Sequence, residues 1–194
     1  MNYLYPCKPN WLAPDSSFFA ALDNDDRWVA EVKKNGWRCL VYRENDSVIL
    51  YTRHRTVINE KLPRLRDYLR VAVPPGTILD CELIHSRTKT VKEFLYPFDL
   101  LTLSREPLVE RPLEYRRALL EKYISPSPGL FEIARQFTTD KVALYERVIA
   151  GDPDVDEGIV LKKLSSKYLP SPTRCLQHPQ WFKVKRLPPH LFQN

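Results

Sequence analysis

Residues 28–43 read WVAEVKKNGWRCLVYR, with side chains that alternate in character on both sides of the dipeptide Asn35-Gly36. Such alternation is typical of β-strands, and it predicts one strand over residues 28–33 and another over residues 37–43. Asn-Gly favours a two-residue turn because both residues tolerate a positive φ. The stretch therefore predicts a β-hairpin with Lys33 at the end of its first strand. A hairpin whose lysines simply face solvent explains this segment equally well.

The rest of the chain contains further strand-like runs and short helical segments. Strands are predicted at residues 47–53, 77–84, 93–101, 158–163 and 181–185. Helices are predicted at residues 16–22, 60–72, 113–124 and 140–150, the first capped by Asp15 and the last by Thr139. Because the strands cluster and the helices are scattered, we expect an α+β fold with mainly antiparallel sheets flanked by helices, in a single domain over residues 1–194.

The composition is that of a globular protein with a basic surplus. The 194 residues include 30 Lys and Arg against 24 Asp and Glu, for a net charge of +6. The acidic residues end at Glu157, whereas basic residues continue at Lys162, Lys163, Lys167, Arg174, Lys183, Lys185 and Arg186. A positive surface of this kind can neutralise a phosphate backbone, although a solvated basic face is the alternative. The cysteines are dispersed, and no run resembles a membrane span or a signal peptide, so we expect a cytoplasmic protein without a membrane partner.

Several common nucleotide and hydrolase motifs are missing from the sequence. The five glycines form neither GxxxxGK[ST] nor GxGxxG, which excludes a P-loop and a dinucleotide-binding fingerprint. There is no HExxH or GxSxG, and the four histidines have no metal-ligand spacing. If the protein uses a nucleotide, its phosphates must be held by lysines and arginines.

Two segments in the middle of the chain could contact such a nucleotide. Asp80 and Glu82 alternate onto one strand face, where two carboxylates repel each other unless a cation, a metal or a hydroxyl group engages them. A solvent-exposed strand face is the simpler explanation. Phe98 ends a strand-like run and can stack on a base, although an aromatic residue there is equally at home in a core.

Two later segments carry the charges that phosphates require. Glu157 precedes a glycine and a strand, so that its carboxylate could hold Mg²⁺ while Lys162 reaches a phosphate. Lys183 and Lys185 share one face of the last strand, where they repel each other unless an anion such as phosphate lies between them. A basic edge strand that prevents aggregation is the alternative.

In this order, the segments resemble the signature set of the covalent nucleotidyltransferase superfamily, which includes ATP-dependent DNA ligases, RNA ligases and mRNA capping enzymes. Residues 33–38 resemble KxDGxR with Asn35 at the Asp position, residues 52–53 the following segment with an Arg, and residues 80–83 the acidic strand motif with Cys81 where Gly is usual. Residues 98–101 resemble the adenine-stacking motif, residues 157–162 EGxVxK, and residues 183–185 the terminal KxK. The stretch 166–183 resembles the DNA-ligase version of this region without its Gly, so DNA ligases are the nearest branch.

The resemblance implies an ATP-grasp-like nucleotidyltransferase (adenylation) fold and a three-step reaction. Lys33 takes AMP from ATP, the AMP passes to a 5′-phosphate, and a 3′-OH then displaces it to seal a nick. The implied nucleotide contacts are Phe98 on adenine, Glu31 beside the base, Arg38 and Glu82 near the ribose, Arg53 at the AMP or nick phosphate, and Lys162, Lys183 and Lys185 at the α-phosphate. The implied metal ligands are Glu157 and Asp80, for Mg²⁺ or Mn²⁺, and the implied nucleic-acid contacts are Lys34, Lys163, Lys167, Arg174 and Arg186.

The chain departs from the family after Lys185. Only nine residues follow, so we expect no C-terminal OB-fold domain in this chain, either because the enzyme is naturally this short or because the chain is a fragment. The expected partner is a nicked DNA duplex or an RNA/DNA hybrid, bound by a monomer. An RNA or hybrid-strand ligase, a capping-type guanylyltransferase and a non-catalytic nucleic-acid-binding module are the alternatives that the residues leave open.

Overall fold

The computed structural model describes residues 2–84, 93–152 and 156–186. Its strands are β1 Lys8–Trp11, β2 Trp28–Lys34, β3 Trp37–Arg43, β4 Val48–Thr52, β5 Thr77–Ile84, β6 Phe94–Leu103, β7 Glu106–Pro107, β8 Gln136–Phe137, β9 Asp156–Lys163 and β10 Gln177–Lys185. Its helices are α1 Ser17–Ala21, α2 Pro63–Ala72, α3 Leu113–Tyr123 and α4 Lys141–Ala150, with a 3₁₀ turn at Asn59–Lys61. The predicted α+β class is confirmed. The expectation about the chain after Lys185 concerns mainly residues 187–194, which lie outside the described residues.

The strands form two five-stranded sheets. Sheet I has the order β1-β10-β9-β2-β8, and sheet II has the order β4-β3-β5-β6-β7. All pairings are antiparallel except that of β1 with β10, which is parallel. The predicted preponderance of antiparallel pairing is therefore confirmed.

The predicted hairpin at Asn35-Gly36 is wrong. β2 pairs with β9 and β8 in sheet I, whereas β3 pairs with β4 and β5 in sheet II. The dipeptide is thus a crossing between sheets, and its glycine is needed for a different reason than a hairpin turn. A Cβ at Gly36 would lie 2.5 Å from the carbonyl oxygen of Leu83 on β5. The partner of each strand depends on which apolar core its side chains enter.

One core lies on the outer face of sheet I. Ala30 on β2 and Leu161 on β9 pack there against Phe19 of α1 and Leu144 of α4, and all four are buried. Each large apolar side chain buried in this way contributes roughly 1.5–3 kcal/mol relative to exposure. The two helices therefore cover one face of sheet I and leave its other face for a different task.

A second core lies on the outer face of sheet II, and a third joins the two sheets. Val41 and Leu79 face α2 and α3, where Leu69 and Leu120 are fully buried. The apolar cluster between the sheets contains side chains of sheet II together with Tyr168 and Trp181 of the β9–β10 region, and its buried members are Cys7, Leu40, Tyr42, Ile78, Leu101, Tyr168 and Trp181. The order of layers is therefore helix, sheet I, sheet II, helix.

Two predicted helix caps are wrong because other side chains supply them. Ser16, not Asp15, caps α1, and its Oγ accepts a hydrogen bond from the Phe19 amide at 3.2 Å. α4 begins after Asp140, whose φ of 53° is left-handed. The amide of Val142 donates to Oδ1 of Asp23 at 2.8 Å, so a residue distant in sequence satisfies one free donor of the first turn. No local pattern can indicate a cap of that kind.

No membrane-spanning helix occurs in the described parts of the chain, residues 2–84, 93–152 and 156–186. None of the helices there combines the length and apolar character that a bilayer crossing needs.

The backbones of β9 and β10 approach each other closely at Gly158. Its φ is +147°, and a Cβ there would lie 2.1 Å from the carbonyl oxygen of Val184. We expect Gly158→Ala to lower the free energy of unfolding by about 2–5 kcal/mol, because backbone strain and overpacking act together. Gly151→Ala is the matched control, since its φ is −83° and its nearest neighbour would be 3.4 Å away. Urea denaturation of both variants measures the difference, and an equal effect would contradict the steric explanation.

Candidate active site

The inner face of sheet I carries a grid of charged side chains. The register sets Lys33 of β2 opposite Gly158 and Gly158 opposite Lys185, and it sets Glu31 opposite Val160 and Val160 opposite Lys183. Because side chains two residues apart in a strand share a face, these charged groups lie on one surface. Lys162 lies further along β9 on the same face. Five of the residues predicted from sequence, Glu31, Lys33, Lys162, Lys183 and Lys185, are thus brought together.

Glu157 lies between two of these lysines. Nζ of Lys33 is 2.9 Å from Oε2 of Glu157, and Nζ of Lys185 contacts the same oxygen. Burial alone would raise the pKa of Glu157, but the charges and hydrogen bonds of the two lysines outweigh it and hold that pKa below its ordinary value. The carboxylate therefore stays ionised while it holds the Lys33 amine in place, with about a fifth of each side chain exposed.

Glu31 and Lys162 form a second, more deeply buried pair. Their charged atoms are 2.6 Å apart, and the two side chains are 4% and 3% exposed. Nε2 of Gln136 donates to the other oxygen of Glu31 at 2.8 Å. Nζ of Lys162 also lies 4.5 Å from the ring centre of Phe98 and 4.7 Å from that of Trp181. Lys162 thus links the acidic group of sheet I to the aromatic ring of sheet II.

Lys183 has a different environment from the paired lysines. Partial burial lowers its pKa first, and the charges of Lys185, Lys33 and Lys8 lower it further, with Glu157 acting in the opposite direction. The positive charge around Lys183 is therefore greater than the single carboxylate of Glu157 compensates. An anion such as a phosphate would relieve the repulsion.

Sheet II contributes Arg38 and Phe98 to the opposite wall. Both Nε and Nη2 of Arg38 donate to the two oxygens of Asp80, and the hydroxyl of Tyr168 donates to one of them. Burial would lower the pKa of Arg38, but the neighbouring Asp80 carboxylate outweighs it and raises that pKa well above its ordinary value. The Arg38 guanidinium also lies 4.7 Å from the ring centre of Phe98. The group is rigid because each member has at least two partners.

The metal role predicted for Asp80 stays a prediction, and these contacts leave its carboxylate poorly placed for it. Its side chain is fully buried, and both of its oxygens accept hydrogen bonds from Arg38 or Tyr168. A cation would have to displace a bidentate guanidinium to reach it. Alternation along β5 correctly indicated a charged face, but the partner of the carboxylate comes from the neighbouring strand.

Glu82 is better placed than Asp80 to share a cation with Glu157. Burial raises the pKa of Glu82, the charges of Lys33 and Arg38 oppose that rise, and Glu157 adds to it. The two carboxylates therefore interact across the site, one from each sheet. No group of three or more His, Cys, Asp or Glu side chains that could hold a metal occurs in residues 2–84, 93–152 and 156–186.

The remaining predicted residues lie outside this group. Lys34 pairs with Asp156 at 2.8 Å, Lys167 with Glu110 at 2.9 Å, and Nη2 of Arg186 donates to the Gly151 carbonyl at 3.2 Å. Nε of Arg53 donates to the adjacent His54 ring at 3.0 Å. Arg174 is exposed and Lys163 half-buried. Their predicted contacts with a nucleotide or nucleic acid stay predictions.

The sequence matches the family model described as the ATP dependent DNA ligase domain over residues 16–96 and 85–185. This chain belongs to that ATP-dependent DNA ligase family. Among curated relatives, DNA ligase 1 of Korarchaeum cryptofilum (strain OPF8) is 28% identical over 93% of this chain and 37% of its own length. The SPbeta prophage-derived DNA ligase-like protein LigB of Bacillus subtilis (strain 168) is 27% identical over 75% of this chain and 57% of its own length.

Solved structures share the fold of this ligase-family chain. A mycobacterial DNA ligase D complexed with ATP and MES superposes with a TM-score of 0.70 at 21% identity, over 95% of this chain and 61% of that one. An archaeal ATP-dependent RNA ligase superposes with a TM-score of 0.54 at 20% identity, over 92% of this chain and 47% of that one. The chain spans about a third of the length of the curated DNA ligases that it matches first, 37% and 34%.

Two supporting residues of the ligase-family site were not predicted from the sequence. Gln136, which contacts Glu31, lies on the two-residue strand β8, too short for a periodic signal. Arg116 sits on α3 with its side chain fully buried, and its guanidinium donates to both oxygens of Asp99 at 2.8 Å. That pair fixes the strand position next to Phe98. A charged residue on an amphipathic helix is normally expected to face solvent, so only the packing identifies Arg116.

Lys183→Met tests whether the lysine repulsion costs stability. At pH 7 we expect the free energy of unfolding of the variant to exceed that of the parent by up to about 1 kcal/mol, because the repulsion is removed. The gain is small because solvent partly screens a half-exposed charge. As the pH rises through the lowered pKa of Lys183 towards its ordinary 10.5, the unfolded chain still holds a proton that the folded chain has released. The parent therefore gains stability over that range, and the difference closes.

The control for this comparison is Lys122→Met, because Lys122 is an exposed lysine of α3 far from the grid. We expect it to change the unfolding free energy by less than about 0.5 kcal/mol at either pH. A parent as stable as Lys183→Met at pH 7, or a difference that widens above pH 10, would contradict the repulsion.

Proposed function

We propose that this chain is the adenylation domain of an ATP-dependent DNA ligase and that Lys33 is its nucleophile. The observation that carries the proposal is the position of the Lys33 amine, held by Glu157 at 2.9 Å on a face that also presents Lys162, Lys183 and Lys185. A lysine fixed beside several cations is suited to attack a phosphate ester, because the cations offset the charge of the incoming nucleotide. Family membership supports the same assignment.

The first step forms the covalent intermediate. Nζ of Lys33 first releases a proton to water and then attacks the α-phosphorus of ATP. A nitrogen–phosphorus bond forms as the bond from that phosphorus to the oxygen bridging to the β-phosphate breaks. Pyrophosphate leaves with the electron pair of that bond. Glu157 accepts a hydrogen bond from Nζ and so orients the amine for attack. Because its pKa is lowered, Glu157 acts mainly through orientation and charge.

The next two steps transfer AMP and close the strand. An oxygen of the 5′-phosphate attacks the same phosphorus and displaces the Lys33 nitrogen, which regains a proton. The adjacent 3′-OH then attacks the activated 5′-phosphorus, and AMP leaves as the phosphodiester bond forms. Each step is a displacement at phosphorus whose charge must be stabilised on the non-bridging oxygens.

The lysines of the grid divide that task unequally. Lys162 is already compensated by Glu31, and Lys185 shares Glu157 with Lys33. Lys183 carries the charge that is least compensated by neighbouring carboxylates. We therefore assign the strongest phosphate contact to Lys183, with Lys185 beside it, while Lys162 holds the base side of the site in place.

The adenine is assigned to the wall that contains Phe98. The ring offers a flat face for a purine, and the cations of Arg38 and Lys162 fix its position at 4.7 and 4.5 Å. Glu31, held by Lys162 and Gln136, is a hydrogen-bond acceptor that suits the exocyclic amine of adenine. Guanine has an oxygen at that position, so a carboxylate there disfavours it.

Glu157 and Glu82 fit the needs of a divalent cation. Mg²⁺ commonly takes one or two carboxylates together with phosphate oxygens and water, and these two side chains interact across the site. When bound, such a cation neutralises charge on the phosphates during transfer. Asp80 is not assigned to it, because Arg38 and Tyr168 already occupy its oxygens.

Labelled ATP tests Lys33 directly. We expect the parent protein, incubated with α-labelled ATP and Mg²⁺, to retain label after denaturing electrophoresis, and Lys33→Ala to retain none because the attacking nitrogen is gone. Lys34→Ala is the matched control, since Lys34 pairs with Asp156 instead of Glu157, and it should label like the parent. Labelling of Lys33→Ala, or labelling of the parent from GTP alone, would sink the assignment.

Sealing assays separate DNA from RNA as the substrate. An archaeal ATP-dependent RNA ligase shares the fold, so an RNA or hybrid-strand ligase is the second candidate. We expect an all-DNA nick to be sealed faster than nicks with ribose on one or both sides, by at least about 10-fold, a barrier difference near 1.4 kcal/mol. Equal sealing of an all-RNA nick would favour the second candidate. The single-domain organisation and the monomeric state stay predictions.

A further inference from the structure

Trp11 is an exposed aromatic residue in register with one lysine of the grid, Lys183. It ends β1, the outer strand of sheet I, and 58% of its surface is exposed. Trp28 and Trp181 are buried by comparison, and Trp37 is half-buried. Isolated exposed apolar residues are common, so exposure alone assigns no role. The position of Trp11 relative to the lysines is what distinguishes it.

The register places Trp11 beside Lys183. β1 runs parallel to β10 with Trp11 opposite Lys183, and the amide of Leu12 donates to the Lys183 carbonyl at 3.0 Å. Leu12 packs against the apolar cluster under α1 and α4, on the outer face of sheet I. Since successive side chains of a strand point to opposite faces, Trp11 lies on the inner face with the lysine grid.

The charge around Trp11 is positive. Lys8 at the start of β1 is exposed. The pKa of Lys183 is lowered mainly by burial, then by the charges of Lys185 and Lys33, and then by the charge of Lys8. An indole face bordered by lysines matches the chemistry of nucleic-acid strands, in which bases and sugars stack on aromatic rings while phosphates contact cations. An acidic peptide would use the lysines but leave the indole without a matching flat partner.

We propose that Trp11, together with Lys8 and Lys183, forms a contact surface for the nucleic-acid strand that carries the 5′-phosphate. This proposal rests on the proposed ligase function, because it assumes that the 5′-phosphate of the strand enters the site at Lys33. Three strand steps of about 4.8 Å separate β2 from β1, and Lys33 lies two residues along β2 from Glu31, which is in register with Trp11. Trp11 therefore lies roughly 16 Å from Lys33 across the sheet. That span suits the first few nucleotides after the 5′-phosphate, and the indole packs on one of their bases or sugars.

Binding measurements test the surface with a matched set of variants. A fluorescein-labelled nicked duplex with a 5′-phosphate is titrated by anisotropy with the parent, Trp11→Ala, Trp11→Phe and Tyr115→Ala. Tyr115 is another exposed aromatic residue, 44% exposed on α3, away from the grid. We expect Trp11→Ala to weaken binding by roughly 5- to 100-fold, the range for loss of one stacked base. Trp11→Phe should retain most of the affinity, and Tyr115→Ala should bind like the parent.

Salt dependence tests the lysine part of the surface. Lys8→Ala should weaken binding of every duplex sequence alike and lower the slope of log affinity against log salt by about one, as expected for a phosphate contact. Trp11→Ala should weaken binding with the slope nearly unchanged. An unchanged slope in Lys8→Ala would remove Lys8 from the surface.

Adduct formation keeps this proposal separate from the proposed function. Labelling by ATP should persist in Trp11→Ala, because Lys33 keeps its contact with Glu157 and the lysines assigned to the nucleotide phosphates are all retained. Binding of Trp11→Ala at parental affinity, with normal labelling, would overturn the surface and leave the ligase assignment intact. Binding that depends on Trp11 in a parent that forms no adduct would overturn the ligase assignment instead. Loss of labelling and binding together in Trp11→Ala but not in Trp11→Phe would place the indole in the nucleotide site and overturn the surface.

Discussion

The buried ion pair of Arg38 and Asp80 is the interaction on which the site depends. Both residues lie on sheet II, yet the groups that complete their hydrogen bonding come from segments that adjoin sheet I. The Tyr168 hydroxyl donates to Asp80 from the β9–β10 connection, and the Cys7 carbonyl accepts from Arg38 just before β1. Because an uncompensated buried charge costs several kcal/mol, none of these groups can move away alone. The two walls of the cleft are thereby held in one arrangement, with Phe98 positioned by the same guanidinium.

Within that frame, the inner face of sheet I concentrates like charges. Glu31 and Glu157 compensate Lys162, Lys33 and Lys185, and Lys183 remains with the largest excess of positive neighbours. Like charges in such an arrangement repel each other, and a nearby anion would relieve that repulsion. The apolar outer face of the same sheet, packed on α1 and α4, supplies the stability that the charged face does not.

Much of the local structure was predictable, and two of the errors share one cause. The sequence predicted β3 and β5 with their observed bounds, because uninterrupted alternation and flanking turn residues are local signals. The hairpin at Asn35-Gly36 and the cap from Thr139 were wrong. In both cases a partner distant in sequence replaced a local one, namely β9 beside β2 and Asp23 at α4. Gln136 and Arg116 were missed for the same reason.

By itself, the sequence determined which residues could do the chemistry. The order of Lys33, Glu82, Phe98, Glu157 and the terminal lysines indicated a nucleotide site with a lysine nucleophile, because each residue type suits one need of phosphoryl transfer. Only the tertiary structure decided how those residues are paired. Ion pairs between strands depend on sheet register and on the crossing at Gly36, which are set by long-range packing and close backbone approach. For that reason the placement of Glu157 against Lys33, and of Trp11 beside Lys183, could not be predicted from the chain alone.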